Sequence, residues 1–145
     1  MPPDVPRKFE RRADGFRHAA RGGLWLAPLI YLEHARYGAG WYGKVVSADR
    51  LKVLEWGRSK GIPDRALEIK SMPDVDSGPR NNRRRITGYH IDLWGPRLAL
   101  AYDLQELISV RARSVAINRL EPGTGDDDDR PGRQVERTSS GERGR

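Results

Sequence analysis

The sequence predicts a small single α/β domain, with α+β as the alternative, and three observations support that prediction. A nearly continuous apolar run over residues 24–32 indicates a buried strand. Residues 86–94 alternate between apolar and polar side chains, as a half-buried strand does. Between these segments, residues 49–60 combine an N-cap, helix-forming residues and a glycine stop. The expected fold is a short sheet of mostly central strands with two or three helices.

Two strands and a turn are expected in the first half of the domain. Pro28 cannot donate a ladder hydrogen bond, so we place the regular part of the first strand at residues 29–33. Residues 37–43 contain three glycines between aromatic residues, which favours a turn over a phosphate-binding loop, because the GxxxxGK[ST] pattern is absent. A second short strand is expected at residues 41–46.

A helix is expected to follow this second strand, with Ser47 or Asp49 as its N-cap and Gly61 as its stop. Its predicted buried stripe consists of Ala48, Leu51, Leu54 and Trp56. A further short helix is expected at residues 96–103, where Pro96 suits a first turn. Residues 104–119 fit either a helix, with Asp103 and Glu106 as a capping box, or an edge strand.

Composition divides the chain into an arm, a domain and a tail. Residues 1–23 are proline-containing and basic and predict a flexible arm, and residues 24–120 hold the globular domain. Residues 121–145 consist mainly of Gly, Asp, Arg, Ser and Thr, which leave nothing to bury, and predict a disordered tail. Within the domain, residues 70–88 predict a flexible basic loop. The length of 145 residues suits one core.

Charge and cysteine usage limit the function classes. The formal net charge is +7, which is compatible with a polyanionic partner and equally with a general compositional bias toward arginine. The absence of cysteine excludes disulfides, thiolate metal sites and a cysteine nucleophile. No apolar run is long enough to span a membrane, so a cytoplasmic protein without a membrane partner is the expectation.

A candidate site emerges where polar residues end two predicted strands. Glu33, His34 and Arg36 follow the first strand, and ligands of open α/β sheets lie at the carboxyl ends of strands. His90 and Asp92 alternate with apolar residues and therefore point to the same side of a strand. The candidate catalytic residues are His90, Asp92, Glu33 and His34, and the candidate phosphate-binding residues are Arg36 and Arg97.

These residue types suit a phosphate-bearing ligand, because imidazole and carboxylate groups transfer protons and guanidiniums pair with phosphate oxygens. A divalent metal is compatible with the cluster, although the sequence requires none. The structural alternative is a His–Asp pair that only holds the geometry of a strand.

Two other function classes remain open from the sequence. The basic arm and the arginines of the loop favour a noncatalytic nucleic-acid-binding accessory protein, because cationic segments release counterions from nucleic acid. In that case Arg80, Arg83, Arg84 and Arg85 would contact phosphates. The other class is a structural or partner-binding protein in which every polar cluster is merely solvated or caps an element.

Several motifs occur in a characteristic order. They are Ile-Tyr-Leu-Glu-His-Ala-Arg at residues 30–36, Val-Val-Ser-Ala-Asp at 45–49, Ser-Lys-Gly-Ile at 59–62, and His-Ile-Asp-Leu at 90–93 followed by Arg97. In this order they resemble a bacterial and phage family catalogued as domain of unknown function 4031, over about residues 29–101.

The resemblance implies a shared fold and shared polar positions, and no particular reaction. Those positions are Glu33, His34, Arg36, Asp49, His90, Asp92 and Arg97. This chain departs from the family pattern in having Glu33 and His34 where members have paired aspartates, and Lys44 where they have a histidine. A lysine ammonium offers only hydrogen-bond donors, so Lys44 removes one potential metal contact.

Overall fold

The computed structural model describes residues 2–34, 36 and 38–109. The predicted tail at 121–145 and most of the segment at 104–119 lie outside the described residues. Nine elements follow one another up to Leu100. They are α1 (Arg12–Ala20), β1 (Trp25–Leu26), β2 (Ile30–His34), β3 (Gly38–Ser47), α2 (Arg50–Ser59), a 3-10 helix (Asp64–Ala66), β4 (Leu67–Pro73), β5 (Arg85–Trp94) and a second 3-10 helix (Gly95–Leu100).

All five strands form one antiparallel sheet. Its order is β1-β3-β5-β4, and β2 pairs with β3 beside β1. The chain is thus a single domain of mixed α and β structure, which confirms the predicted fold class. Because the strands are antiparallel, the carboxyl ends of neighbouring strands lie at opposite ends of the sheet, so residues that end neighbouring strands do not meet.

Each face of the sheet carries its own apolar cluster. Val45, Ile91 and Leu93 face one side, where they pack with residues of α2 and the second 3-10 helix. Val46 and Met72 face the other side, where Phe16 of α1 and other residues cover them. The alternation along β3 and β5 produces this division, since successive side chains of a strand point to opposite faces.

The apolar run at 24–32 forms two strands on the same edge of β3. β1 pairs with Val45 and Val46, while β2 pairs with residues 38–42. Pro28 lies in the interruption between them, where its missing N–H removes a ladder donor. The regular part of the strand begins and ends one residue later than the sequence predicted.

The glycines that predicted a turn at 37–43 lie instead in β3, which begins at Gly38 and pairs with β2, which ends at His34. Gly43 has a packing reason to be glycine, because a Cβ at this position would lie 2.2 Å from the Tyr102 hydroxyl. Tyr102 is buried here and donates its hydroxyl proton to the backbone oxygen of Ala27. The glycine therefore lets an aromatic ring pack directly on the sheet.

The prediction of a flexible arm at 1–23 is wrong for residues 12–20, which form α1 with Phe16 and Ala19 fully buried. The residues before α1 also join the domain, because Arg7 exchanges backbone hydrogen bonds with Leu24 and Leu26 beside β1. The arm contains few apolar residues, but Phe16 packs edge-on against Trp25 at 4.7 Å between ring centroids. One well-placed aromatic contact outweighed the basic composition of the segment.

The predicted helix is confirmed as α2. Asp49 is its N-cap and accepts a hydrogen bond from the Lys52 backbone nitrogen, and Gly61 follows its end with φ +77°. The predicted stripe is partly wrong, because Leu51 is 55% exposed and Val53 is buried instead. The buried face of α2 therefore lies nearly opposite Leu51 on the helix.

Two segments of the second half differ from expectation. The predicted loop at 70–88 is shorter, because β4 continues to Pro73 and β5 begins at Arg85. In the other segment, residues 104–109 are helical, and the capping box is confirmed by reciprocal hydrogen bonds between Asp103 and Glu106. The predicted helix at 96–103 is a 3-10 helix that ends at Leu100.

Candidate functional site

A cluster of charged residues lies on the α1 face of the sheet, beyond the apolar cluster that α1 covers. The register places Lys44 of β3 opposite Asp92 of β5, and His90 of β5 opposite Glu68 of β4. Lys70 is two residues from Glu68 along β4 and so faces the same side. Three adjacent strands thus contribute side chains to one charged cluster.

The imidazole of His90 is at the centre of this cluster. Its Nε2 lies 3.3 Å from Glu68 Oε1 and 3.3 Å from Asp92 Oδ1. Burial, together with the charges of Lys44 and Lys70, lowers the pKa of His90 although Asp92 opposes the change. His90 is therefore neutral at pH 7, and we assign its one proton to Nε2 because carboxylates only accept hydrogen bonds. Nδ1 is buried and has no hydrogen-bond partner among the described residues.

Asp92 remains ionised in this environment. Burial alone would raise its pKa, but the hydrogen bond with His90 and the positive charges of Lys44 and Lys70 outweigh burial and lower the pKa of Asp92 to about 2. The Lys44 ammonium contributes through a distance of 3.6 Å between Nζ and Asp92 Oδ1. Asp92 is therefore the negative charge that compensates the buried lysine.

Lys44 and Lys70 lie on this same face of the sheet. Lys44 is only 8% exposed, and burial lowers its pKa although Asp92 opposes the change. Burial and the neighbouring charge of Lys44 lower the pKa of Lys70 to about 7. Two amines of one cluster thus differ in their charge partners, because Lys44 has an ion pair and Lys70 has none among the described residues.

A pocket of about 590 Å³ opens beside the charged cluster. Asp92 and Glu68 form part of its wall, and Trp94 supplies an aromatic surface. The Arg97 guanidinium lies over the Trp94 ring, 5.5 Å from its centroid. The lining residues are Arg36, Pro63, Arg65, Ala66, Glu68, Asp92, Trp94 and Arg97. Three guanidiniums against two carboxylates leave the lining net positive.

The structure brings several predicted residues together. Arg36, Arg97 and Asp92 all line the pocket, and the buried side chain of His90 contacts Asp92. The expectation that His90 and Asp92 point the same way is thus met. Arg36 reaches the pocket from the turn between β2 and β3, whereas Arg97 comes from the 3-10 helix after β5.

Glu33 does not join the cluster. It pairs with Ala39, which is five residues from Lys44 along β3, and an odd separation puts two side chains on opposite faces. Glu33 is therefore on the other side of the sheet from Lys44 and its partner Asp92. The backbone of His34 pairs with Gly38 at the end of the hairpin, beyond the part of β3 that pairs with β5. The rule that predicted this site holds for parallel sheets, and this sheet is antiparallel.

Sequence analysis missed Glu68, Lys70 and Arg65. Lys70 fell within the predicted flexible loop at 70–88, and no element was predicted for Glu68. The available signal was weak: Leu67 and Ile69 alternate with charged residues as on an edge strand. The pairing of β4 with β5 is what places Glu68 next to His90.

Glu68, His90 and Asp92 are spaced closely enough to share one metal ion, since one ligand atom from each lies within 4.8 Å of the others. We assign no metal to this cluster. The Lys44 ammonium already supplies positive charge at Asp92, and Lys70 adds an amine on the same face. In addition, histidine ligands of metals ordinarily donate their second N–H to a partner, and Nδ1 of His90 has none among the described residues.

The arginines of the loop at 74–84 and at the start of β5 bond within the chain. Arg84 pairs with Asp74 at 2.9 Å, Arg83 donates to the backbone oxygen of Gly78, and Arg85 donates to Ser71. In α1, Arg17 similarly pairs with Asp14 and with a loop carboxylate. These contacts give the basic residues a structural use, and they do not favour nucleic-acid binding over the pocket.

Comparison with known proteins adds no identification. No family model, curated protein or solved structure matches this chain. The resemblance to domain of unknown function 4031 therefore stays a prediction. Within the described part of the chain, no helix has the length and apolar character needed to cross a membrane.

Proposed function

We propose that this protein binds a small phosphate-bearing ligand in the pocket between β5, β4 and the two 3-10 helices. The observation that carries the proposal is the convergence of Arg36, Arg65 and Arg97 on one pocket from three separate segments of the chain. Arginine presents a planar donor fork that matches phosphate oxygens, so three of them form a strong anion site.

The pocket wall also offers contacts for the rest of such a ligand. Trp94 presents an aromatic ring that is already held by Arg97, which suits packing against a planar or apolar part of a ligand. Glu68 and Asp92 accept hydrogen bonds, which suits hydroxyl or amino groups. The carboxylates repel a phosphate, so they orient it toward the guanidiniums.

Calorimetric titration with inorganic pyrophosphate tests this proposal. We expect binding to the full-length protein, and a Kd raised about tenfold or more in Arg65→Ala and in Arg97→Ala, because a hydrogen bond to a charged group contributes roughly 1.5–3 kcal/mol. Arg85→Ala is the matched control. Arg85 lies nine residues from Trp94 along β5, on the order of 30 Å away, and should leave the Kd unchanged.

Two results would contradict the proposal. One is the absence of any pyrophosphate binding at low ionic strength. The other is an equal loss of affinity in the Arg85→Ala control, because a diffuse positive surface would then explain the interaction better than a pocket. Circular dichroism of each variant ensures that a lost Kd reflects the site and not unfolding.

A further inference from the structure

β4 is an edge strand of the sheet. Within the part of the chain that the structure describes, it pairs only with β5. Asp74 donates its backbone N–H to the Arg84 oxygen, so it bonds toward β5. Because backbone groups alternate along an antiparallel strand, Leu67, Ile69 and Ser71 direct their backbone groups away from the sheet. An exposed row of this kind can pair with another strand.

Some of these outward groups are already bonded within the chain. The Leu67 N–H donates to the Asp64 oxygen, and the Ser71 oxygen accepts a hydrogen bond from the Arg85 guanidinium. No described residue bonds to the other four groups, which are the oxygen of Leu67, both groups of Ile69 and the N–H of Ser71. In chain order they are acceptor, donor, acceptor and donor. This order is its own complement when a second copy runs antiparallel.

A second copy of β4 satisfies these four groups in one register, with a two-fold axis at Ile69. The Ile69 residues of the two copies exchange both of their backbone hydrogen bonds. Each Ser71 N–H donates to the Leu67 oxygen of the other copy. The two outward groups that remain, the Leu67 N–H and the Ser71 oxygen, are the ones already bonded within the chain.

The side chains favour the same register. Glu68 of each copy lies directly opposite Lys70 of the other, in a non-hydrogen-bonded pair, where facing side chains are closest. On the other face of the strand Ile69, which is 71% exposed in the single chain, meets Ile69 of the second copy. The two neighbouring registers place Glu68 opposite Glu68 or Lys70 opposite Lys70, and like charges directly opposite are destabilising. A lysine ordinarily protects an edge strand from pairing, but here the strand carries the matching carboxylate.

We propose that β4 pairs with β4 of a second copy of this chain, so that two sheets join into one continuous sheet. The two-fold arrangement closes the assembly, because both edge strands that take part are then paired. One short strand from each copy makes a small interface, so the dimer is weak and the monomer prevails at low micromolar concentrations. The inference does not depend on the phosphate site, although Lys70 of the second copy would lie beside the pocket residue Glu68.

Sedimentation equilibrium of the full-length protein tests the proposal over about 5 µM to 1 mM. We expect the average mass to rise with concentration toward twice that of the monomer. Ile69→Lys should raise the dimer Kd at least about tenfold, because it places two ammonium groups opposite each other at the axis. Ile69 is exposed, so this variant keeps its fold. A monomer mass up to 1 mM overturns the proposal, as does a dimer that Ile69→Lys does not weaken.

Two charge reversals test the register. Glu68→Lys and Lys70→Glu each make both facing pairs like-charged, so each variant alone should dimerise at least about tenfold more weakly than the wild type. An equimolar mixture of the two variants has opposite charges at both pairs and should associate within about threefold of the wild-type Kd. Each reversal changes the formal net charge of +7 by two, so both variants stay positive and general attraction does not explain their association.

Matched reversals elsewhere serve as controls. Glu55→Lys and Lys60→Glu change the net charge by the same amounts at exposed positions of α2 and its end, and should leave the dimer Kd unchanged. Circular dichroism checks that every variant is folded. Failure of the mixed variants to associate overturns the proposed register, and so does equal weakening in the two controls. Pyrophosphate binding is measured separately, so its presence or absence leaves these outcomes unaffected.

Discussion

Replacement of Lys70 by methionine should change how the stability of the protein depends on pH. The pKa of Lys70 is lowered from 10.5 to about 7, so the folded protein carries an unfavourable charge at Lys70 below pH 7. Between pH 7 and 10.5 the unfolded chain binds more protons at this position than the folded protein does. The wild type should therefore become more stable as the pH rises through that window, and the methionine variant should lack this gain.

The size of the effect follows from the two pKa values. They are about 3.5 apart (10.5 minus about 7), and each pH unit corresponds to about 1.4 kcal/mol, which gives an upper limit of about 5 kcal/mol. The measurable effect is smaller than this limit for three reasons. The experiment covers only about pH 6.5 to 9.5, and Lys70 is half-buried and therefore partly screened by solvent. In addition, Lys44 shares the same charge repulsion. We expect about 2 kcal/mol between these two pH values.

Urea denaturation of both proteins at about pH 6.5 and about pH 9.5 measures this difference. At each pH we take the free energy of unfolding of Lys70→Met minus that of the wild type. This difference should be about 2 kcal/mol more favourable to the variant at about pH 6.5 than at about pH 9.5. Lys60→Met, which replaces an exposed lysine, should follow the wild type at both pH values. Parallel wild-type and Lys70→Met stabilities across this range would refute the lowered pKa of Lys70.

Three further predictions concern Asp92, the packing at Gly43 and the N-cap of α2. The wild type should lose about 1–2 kcal/mol of stability between about pH 4 and pH 2, because the pKa of Asp92 in the folded protein is about 2 and its ionised form is stabilising above that range. Asp92→Asn should lack this loss, which acid titration followed by tryptophan fluorescence measures. Gly43→Ala should lower the free energy of unfolding by about 1–3 kcal/mol in urea, since its methyl group would collide with the buried Tyr102 ring, and an unchanged midpoint would contradict that packing. Asp49→Ala should cost about 1 kcal/mol through loss of the cap on the Lys52 nitrogen, whereas Asp49→Ser should restore most of it in the same assay.

The local signals of the sequence predicted the elements that depend on neighbouring residues. The N-cap at Asp49 and the glycine stop at Gly61 define α2, and the alternation along residues 86–94 defines β5. The same alternation placed His90 and Asp92 on one face, because a strand has a period of two whatever its partners are. These features need no knowledge of the rest of the fold.

Pairing between distant segments decided the composition of the site. Nothing near Glu68 or Lys70 in the sequence shows that β4 lies beside β5, and only this register brings them to His90. Likewise, the strands of this sheet are antiparallel, so residues at the carboxyl ends of neighbouring strands lie at opposite ends of the sheet. Glu33 is therefore not part of the cluster.

The sequence by itself determined a single mixed α/β domain, its capped helix α2, and a His90–Asp92 pair facing one side of a strand. Tertiary structure alone decided that Arg36, Arg65 and Arg97 share one pocket and that Lys44 and Glu68 lie beside the His90–Asp92 pair. The physical reason is the range of the interactions. Capping and alternation act within a few residues, whereas the charge state of a buried amine depends on groups that only the register of three strands brings together.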